Sequence, residues 1–143
     1  MVLSLSNSST TAVTNNLGAY ILDNLTAEGA YTVTPSKTGN VNGITPFDAT
    51  LVLRCVAAGT ANCTLTNNQK LAADTNNSNS ITPFDATQIL RFVAANAQTN
   101  ATEQVGNWKF VPDSRNYSPL SNSLTNENYE AILIGKINGS WMP

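Results

Sequence analysis

The chain of 143 residues contains no histidine, and only 11 % of its residues are charged, for a net charge of -2. Without histidine, a Ser-His-Asp or Cys-His arrangement and an imidazole ligand for zinc are both excluded. The weak charge provides no field that would hold nucleic acid and no basic stretch that would dock on anionic lipid. No apolar run is long enough to span a bilayer. We therefore predict a protein that is not an enzyme, does not bind nucleic acid and does not insert into a membrane.

Cysteine is scarce as well, since Cys55 and Cys63 are the two present. An oxidising compartment would permit a disulfide that closes this short loop, whereas a reducing compartment would leave two thiols. A metal bound by the pair is disfavoured, because a soft-ligand site usually needs four ligands. We favour the disulfide, and with it an extracellular or cell-surface location.

The strongest pattern in the chain is an internal repeat. Residues 44–50, Ile-Thr-Pro-Phe-Asp-Ala-Thr, recur as residues 81–87. In each copy a threonine N-cap precedes a proline at the first helical position, and an aspartate three residues after the cap completes a capping-box pattern. Apolar residues then recur at helical spacing. The repeat predicts helices at about 46–58 and 83–96 that pack against each other, with a short helix near 67–73.

Short β-type segments flank the repeat on both sides, separated by Asn- and Gly-rich breakers. We predict an α+β fold: a small β-sandwich built from N- and C-terminal strands, with a helical pair inserted between them. The predicted domains are 1–36, 37–99 and 100–143. The predicted strands are Val2–Leu5, Thr10–Thr14, Ala19–Leu22, Tyr31–Pro35, Trp108–Val111 and Ala131–Ile134.

A twelve-residue loop before the second helix carries oxygen-bearing side chains at alternating positions; we call it loop 2. Ca²⁺ takes six to eight oxygens, and such loops supply them from positions 1, 3, 5, 7, 9 and 12. Position 6 needs a positive φ, which suits Asn79. The sequence predicts one calcium ion here, whose binding free energy contributes to folding. The predicted ligands are Asp74, Asn76, Ser78, the backbone carbonyl of Ser80, Thr82 and Asp85.

Loop 1, before the first helix, is shorter and carries less charge. It runs over residues 40–48, three residues fewer than loop 2, and Asp48 is its sole carboxylate. One interpretation is a second calcium ion held by Asn40, Asn42, a backbone carbonyl near Ile44, and Asp48. The other is that side-chain amides hold the turn closed with no metal. The sequence leaves both open.

With these loops and helices, residues 37–97 resemble a type I dockerin. The resemblance lies in the Asp-x-Asn-x-Ser opening of loop 2, the isoleucine at its position 8 and the Asp-Ala pair that leads into the helix. It implies a calcium-folded module of a secreted microbial protein, which binds a cohesin domain through helix residues. At the recognition positions of that family, the implied partner-binding residues are Pro46, Phe47, Leu53, Arg54, Pro83, Phe84, Leu90 and Arg91.

Residues 2–35 are similar to carboxypeptidase-regulatory-like β-sandwich modules, particularly at 18–20, 24–25 and 31–35. Such modules begin with a further strand, so the resemblance implies a sandwich with one open sheet edge. An open edge attracts a strand. The apolar run 130–135 is the candidate, either from the same chain or from a neighbouring chain. A neighbour's strand would make a head-to-tail contact and build a filament.

The sequence therefore predicts a non-catalytic, calcium-stabilised module for protein–protein assembly. Its partner is either a cohesin-like receptor or identical subunits of an extracellular filament. A carbohydrate-binding module and a glycosidase are less favoured, because aromatic residues are more often core and because the sequence fixes no separation between carboxylates. The residues concerned are Trp108, Phe110, Tyr117, Tyr129 and Trp141 for the first, and Asp113, Glu127 and Glu130 for the second.

Overall fold

The computed structural model describes residues 1–6, 8–96 and 104–139. These residues form three helices and six strands, which confirms the α+β class, and the strands lie in two antiparallel sheets. In chain order the elements are β1 (Val2–Leu5), β2 (Thr11–Val13), β3 (Tyr31–Ser36), α1 (Pro46–Ala58), α2 (Asn67–Ala73), α3 (Pro83–Ala94), β4 (Trp108–Val111), β5 (Arg115–Tyr117) and β6 (Glu130–Leu133).

The chain divides into two compact units, each made of two stretches of sequence. Unit 1 comprises Met1–Lys37 and Phe110–Ala131, and unit 2 comprises Thr38–Lys109 and Ile132–Met142. The first boundary lies one residue from the predicted one. The C-terminal residues are divided differently from the prediction, because Leu133 and Ile137 are buried in the core of unit 2.

Unit 1 contains a four-stranded sheet with the order β2-β1-β3-β5. Leu3 and Leu5 of β1 are buried and alternate with exposed residues, which is the pattern of an antiparallel sheet with one covered face. Together with Val33 of β3 they form the core of the unit. The second layer consists of side chains from segments without regular structure, among them Tyr20, Leu22, Leu25 and Tyr129.

Unit 2 has its core between α1 and α3. Ala49 and Val52 of α1 and their equivalents Ala86 and Ile89 of α3 are buried, because apolar residues recur on one side of each helix. The bounds of α1 and α2 are as predicted, and α3 ends at Ala94. The core is completed by residues outside the two helices: Ile44, Ala73, Val105, Leu133 and Ile137.

The strands differ from the prediction at three places. Residues 19–22 lie outside any sheet, although their side chains alternate in exposure. Residues 115–117, not predicted as a strand, form β5, which pairs with β3 from Val33 to Tyr31. The segment 130–135, expected to fill the open sheet edge, instead forms β6 and pairs with β4. The edge of the sheet is thus extended by β5, whose three residues are too few to show the alternation by which a strand is predicted.

Candidate functional site

Both helices of the repeat start with the same side-chain contacts. The N-caps Thr45 and Thr82 have extended backbone, and a proline follows each. Oδ2 of Asp48 accepts a hydrogen bond from the N–H of Thr45 at 2.9 Å, and Oδ2 of Asp85 accepts one from the N–H of Thr82 at 2.8 Å. The predicted contact between cap and aspartate is confirmed, and it fixes the first turn of each helix.

The carboxylate of Asp85 is fully buried and accepts four hydrogen bonds. Oδ2 also accepts from the hydroxyl of Thr82 at 2.9 Å. Oδ1 accepts from the N–H and the hydroxyl of Thr75, at 2.8 and 3.0 Å. Because donors occupy both oxygens, the buried charge is stabilised without a cation. For Asp85 to bind calcium as predicted, some of these hydrogen bonds must break.

Asp48 has the same burial and the same number of donors, but half of them come from a distant segment. Its Oδ2 accepts from the N–H and hydroxyl of Thr45. Its Oδ1 accepts from the backbone N–H groups of Ile137 and Asn138, at 2.7 and 3.1 Å. Asp48 therefore joins the start of α1 to the C-terminal segment of unit 2, a role that the sequence did not indicate.

The first half of loop 2 gathers the predicted oxygen ligands around Ser78. Asp74 accepts hydrogen bonds from the N–H groups of Ser78 and Asn79, at 2.8 and 2.7 Å. Oδ1 of Asn76 also accepts from the N–H of Ser78 at 3.1 Å. The hydroxyl of Ser78 donates to the carbonyl of Ser80 at 3.2 Å. Positions 1, 3, 5 and 7 are thus brought together on an exposed surface.

Backbone conformation in this loop agrees with the sequence. Asn79, at position 6, has φ 61°, as predicted for that position. Asn77 has φ 55° as well, and its side-chain oxygen accepts a hydrogen bond from Nζ of Lys109 at 3.0 Å. Asparagine tolerates the left-handed region better than other non-glycine residues, so two such residues allow the tight turn.

The predicted calcium ligands of loop 2 therefore fall into two groups. The exposed group offers one carboxylate together with amide, hydroxyl and carbonyl oxygens, which are the ligand types that calcium prefers. The buried group, Thr82 and Asp85, is hydrogen-bonded within itself and to Thr75. Within the described residues, no three Asp, Glu or Cys side chains come together as metal ligands. The exposed group fits calcium in chemical type but lacks the second carboxylate in this arrangement.

Loop 1 fits a cation less well. Asn40 and Gly43 have positive φ values of 54° and 86°, which accommodate a tight turn. Ile44 is buried in the core of unit 2. Nζ of Lys136 lies close to Gly43, 3.0 Å from where a Cβ would be. Asp48, the only carboxylate of the loop, already accepts four hydrogen bonds. The ammonium group of Lys136 would also repel a calcium ion bound in this loop.

The outward faces of α1 and α3 carry matching exposed residues. Phe47 and Phe84 are 57 % and 50 % exposed, and Leu53 and Leu90 are 44 % and 45 % exposed. The remaining predicted partner-binding residues, Pro46, Arg54, Pro83 and Arg91, are exposed too. These large apolar side chains, at equivalent positions of both repeats, lie outside the core cluster of unit 2. The structure thus leaves every predicted partner-binding side chain accessible.

The two cysteines form a disulfide, as favoured from the sequence. Cys55 of α1 and Cys63 are joined with a Cα–Cα distance of 4.6 Å. The bridge ties the loop that follows α1 to the buried side of the helix, where Cys55 is 8 % exposed. No helix of the described residues is both long and apolar enough to cross a membrane.

In unit 1, the aromatic residues and Glu127 form a hydrogen-bonded cluster. The hydroxyl of Tyr117 donates a hydrogen bond to Oε2 of Glu127 at 2.6 Å. Nη1 of Arg115 forms an ion pair with the same oxygen at 3.3 Å. Burial, then the hydrogen bond to Glu127, raises the pKa of Tyr117. Burial and the neighbouring Tyr20 raise the pKa of Tyr129 to about 12. Glu127 is thus committed to structural partners.

The other residues of the less favoured interpretations are dispersed. The indole N–H of Trp108 donates to the carbonyl of Gly39 at 2.8 Å, and Phe110 is buried. Asp113 accepts a hydrogen bond from its neighbour Ser114. Glu130 begins β6, and Trp141 lies outside the described residues.

Comparison of the chain with protein-family models, with curated proteins and with solved structures finds no match.

Proposed function

We propose that this protein is a non-catalytic attachment module that binds another protein through the outward faces of α1 and α3. The observation that carries the proposal is the matched exposure of Phe47 and Phe84, and of Leu53 and Leu90. Half-exposed aromatic residues next to arginines are the side chains most enriched at protein interfaces. Two equivalent sets arise from the repeat, so the module presents the same chemistry twice.

The proposed partner is a cohesin-like receptor, since the eight exposed residues stand at the recognition positions implied by the dockerin resemblance. Phe47 and Phe84 would act as apolar anchors, and Arg54 and Arg91 would supply charge beside them. The disulfide supports the proposed extracellular or cell-surface location, because such bonds persist in oxidising compartments.

Calcium enters this proposal as a stabiliser of loop 2. The ion would be held by Asp74, Asn76, Ser78 and the carbonyl of Ser80. The oxygens of the other three residues already lie within hydrogen-bonding distance of Ser78. The ion would hold the loop closed in front of α3 and would not take part in any reaction. With one carboxylate in this group, we expect affinity weaker than that of loops with three or more.

The proposal is tested by isothermal titration calorimetry with a purified type I cohesin domain in the presence of calcium. We expect saturable binding by the full chain, and a loss of at least about tenfold in affinity for the double variant Phe47→Ala/Phe84→Ala. The matched control is Thr60→Ala/Thr64→Ala, which removes two exposed hydroxyls from the loop between α1 and α2 and should bind as the wild type does. Equal affinity of the phenylalanine variant and the wild type would refute the proposed face.

A second candidate function is self-assembly into an extracellular filament. It is favoured by a groove in unit 1 whose bordering backbone forms no hydrogen bonds within the described residues.

A further inference from the structure

Unit 1 contains an open groove of about 820 Å³ beside its sheet. Leu5 and Val33 of the sheet line it, together with Tyr20 and Leu22. Two irregular segments border it: segment A, residues 20–25, and segment B, residues 121–125. The charged lining residues are Asp23 and Glu127, and the second of these is paired with Arg115. The lining therefore combines apolar side chains with uncharged polar ones, the latter mainly in segment B, and offers no basic group to an acidic ligand.

The backbone of both segments lacks hydrogen-bond partners. In the part of the chain that the structure describes, no backbone N–H or C=O group of segment A or segment B forms a hydrogen bond. Along residues 20–23 the side chains alternate between half-buried and exposed, as they do in a strand. Backbone polar groups in folded proteins are nearly always paired or solvated. Residues 20–23 of segment A thus have the side-chain pattern of a strand, but none of the described strands lies beside them.

A suitable strand lies elsewhere in unit 1. β2 is an edge strand of the sheet, and among the described residues no strand lies on its outer side. Natural edge strands are usually protected by charged residues or proline. Residues 1–22 contain neither, and Val13 and Leu17 are 69 % and 89 % exposed. Because residues 1–22 contain no charged side chain, the edge of a second copy meets no like charge at Asp23 or Glu127 of the groove.

We propose that the groove of one copy receives the exposed edge β2 of a second copy, whose backbone pairs with segment A. The contact is head-to-tail, because one surface of each molecule meets a different surface of the next. Such contacts build open chains unless rotation closes them. Main-chain hydrogen bonds and the apolar contacts of Val13 supply the attraction. This inference concerns unit 1 alone and is independent of the function proposed for unit 2.

The test is sedimentation velocity of the full chain over a range of concentrations, with two charge-introducing variants. Val13→Lys places an ammonium group on the edge, and Leu124→Lys places one in the groove, where Leu124 is 48 % exposed. We expect concentration-dependent oligomers of the wild type. Each variant alone should need at least about tenfold higher concentration to associate. An equimolar mixture of the two variants should form dimers and nothing larger. The intact groove of Val13→Lys can receive the intact edge of Leu124→Lys, and the two altered surfaces stop further growth.

The matched control is Thr34→Lys, on the outer face of the same sheet, which should associate as the wild type does. Hydrogen exchange of the wild type gives a second measurement that needs no substitution. The amides of segment A should exchange at least about tenfold more slowly in the oligomer than in the monomer. A wild type that stays monomeric at millimolar concentration, or oligomers unaffected by both variants, would overturn the inference.

Discussion

Repeat 1 and repeat 2 begin their helices with the same residues, but the chain in front of each helix differs in length and charge. In repeat 2, Asp85 receives all four donors from its own loop, through Thr75 and Thr82. In repeat 1 the loop is three residues shorter, and Asp48 receives two donors from residues 137 and 138. The same buried carboxylate is thus satisfied locally in one repeat and by a distant segment in the other.

This difference shows what the shared aspartate requires. A buried charge needs several donors, but those donors can come from any segment that reaches it. Repeat 2 has a full loop, and the exposed oxygens at its positions 1, 3 and 7 accept hydrogen bonds from within the loop itself. Repeat 1 has lost that loop length, and its aspartate anchors the C-terminal segment of unit 2 instead. Cation binding is therefore more compatible with repeat 2 than with repeat 1.

The largest effect is expected from removal of either buried carboxylate. Asp85→Ala and Asp48→Ala each leave four donors without an acceptor, so we expect a loss of about 3–5 kcal/mol in the free energy of unfolding. Urea denaturation measures this loss. Hydrogen exchange separates the repeats: Asp48→Ala should release the amides of Ile137 and Asn138, whereas Asp85→Ala should release that of Thr75.

The control for the aspartate variants is the pair Thr50→Ala and Thr87→Ala. Their hydroxyls donate to the carbonyls of Pro46 and Pro83 on the exposed side of each helix. We expect changes within about 0.5 kcal/mol. If the free energy of unfolding of an aspartate variant lies within about 1 kcal/mol of the wild-type value, the carboxylate does not have the structural role described.

The repeats also differ at one core position, where Cys55 of α1 corresponds to Phe92 of α3. Phe92 fills the core with its side chain, whereas Cys55 is bonded to Cys63. The double variant Cys55→Ala/Cys63→Ala should lose about 2–3 kcal/mol, the value for a disulfide that closes so short a loop. Urea denaturation again provides the measurement. Reduction of the wild type should give a similar loss, and the double variant should not respond to reductant.

The helices were predictable because their signals are local. A threonine cap, a proline and apolar residues at helical spacing lie within a dozen consecutive residues, and both α1 and α3 follow from them. The positive φ of Asn79 was predictable for the same reason. The bond between Asp48 and the amide of Ile137 was not, because a backbone N–H has no sequence signature and the two residues are 89 positions apart.

Strand pairing was less predictable than strand location. The segment around residues 131–134 has a strong β pattern, but that pattern is equally compatible with any free edge. It pairs with β4, while the polar residues 115–117 pair with β3. For the candidate calcium site, the sequence predicted which residues at positions 1 to 7 have oxygens that come together. It could not indicate that Thr75 donates two hydrogen bonds to Oδ1 of Asp85.

The smallest effect is expected from calcium, and it tests the difference between the loops. At a calcium concentration of ten times its Kd, binding to loop 2 should add about 1.4 kcal/mol, or about 3–6 °C in melting temperature. Asp74→Ala should remove most of this rise, because the only carboxylate of the exposed group is lost. Asn40→Ala in loop 1 should remove less of it. The quantity compared is the rise in each variant, since Asp74 also accepts hydrogen bonds from Ser78 and Asn79. If calcium raises the melting temperature equally in the wild type and in Asp74→Ala, the ion binds elsewhere. If calcium does not raise it in the wild type, the hydrogen bonds of loop 2 hold the loop closed without a metal.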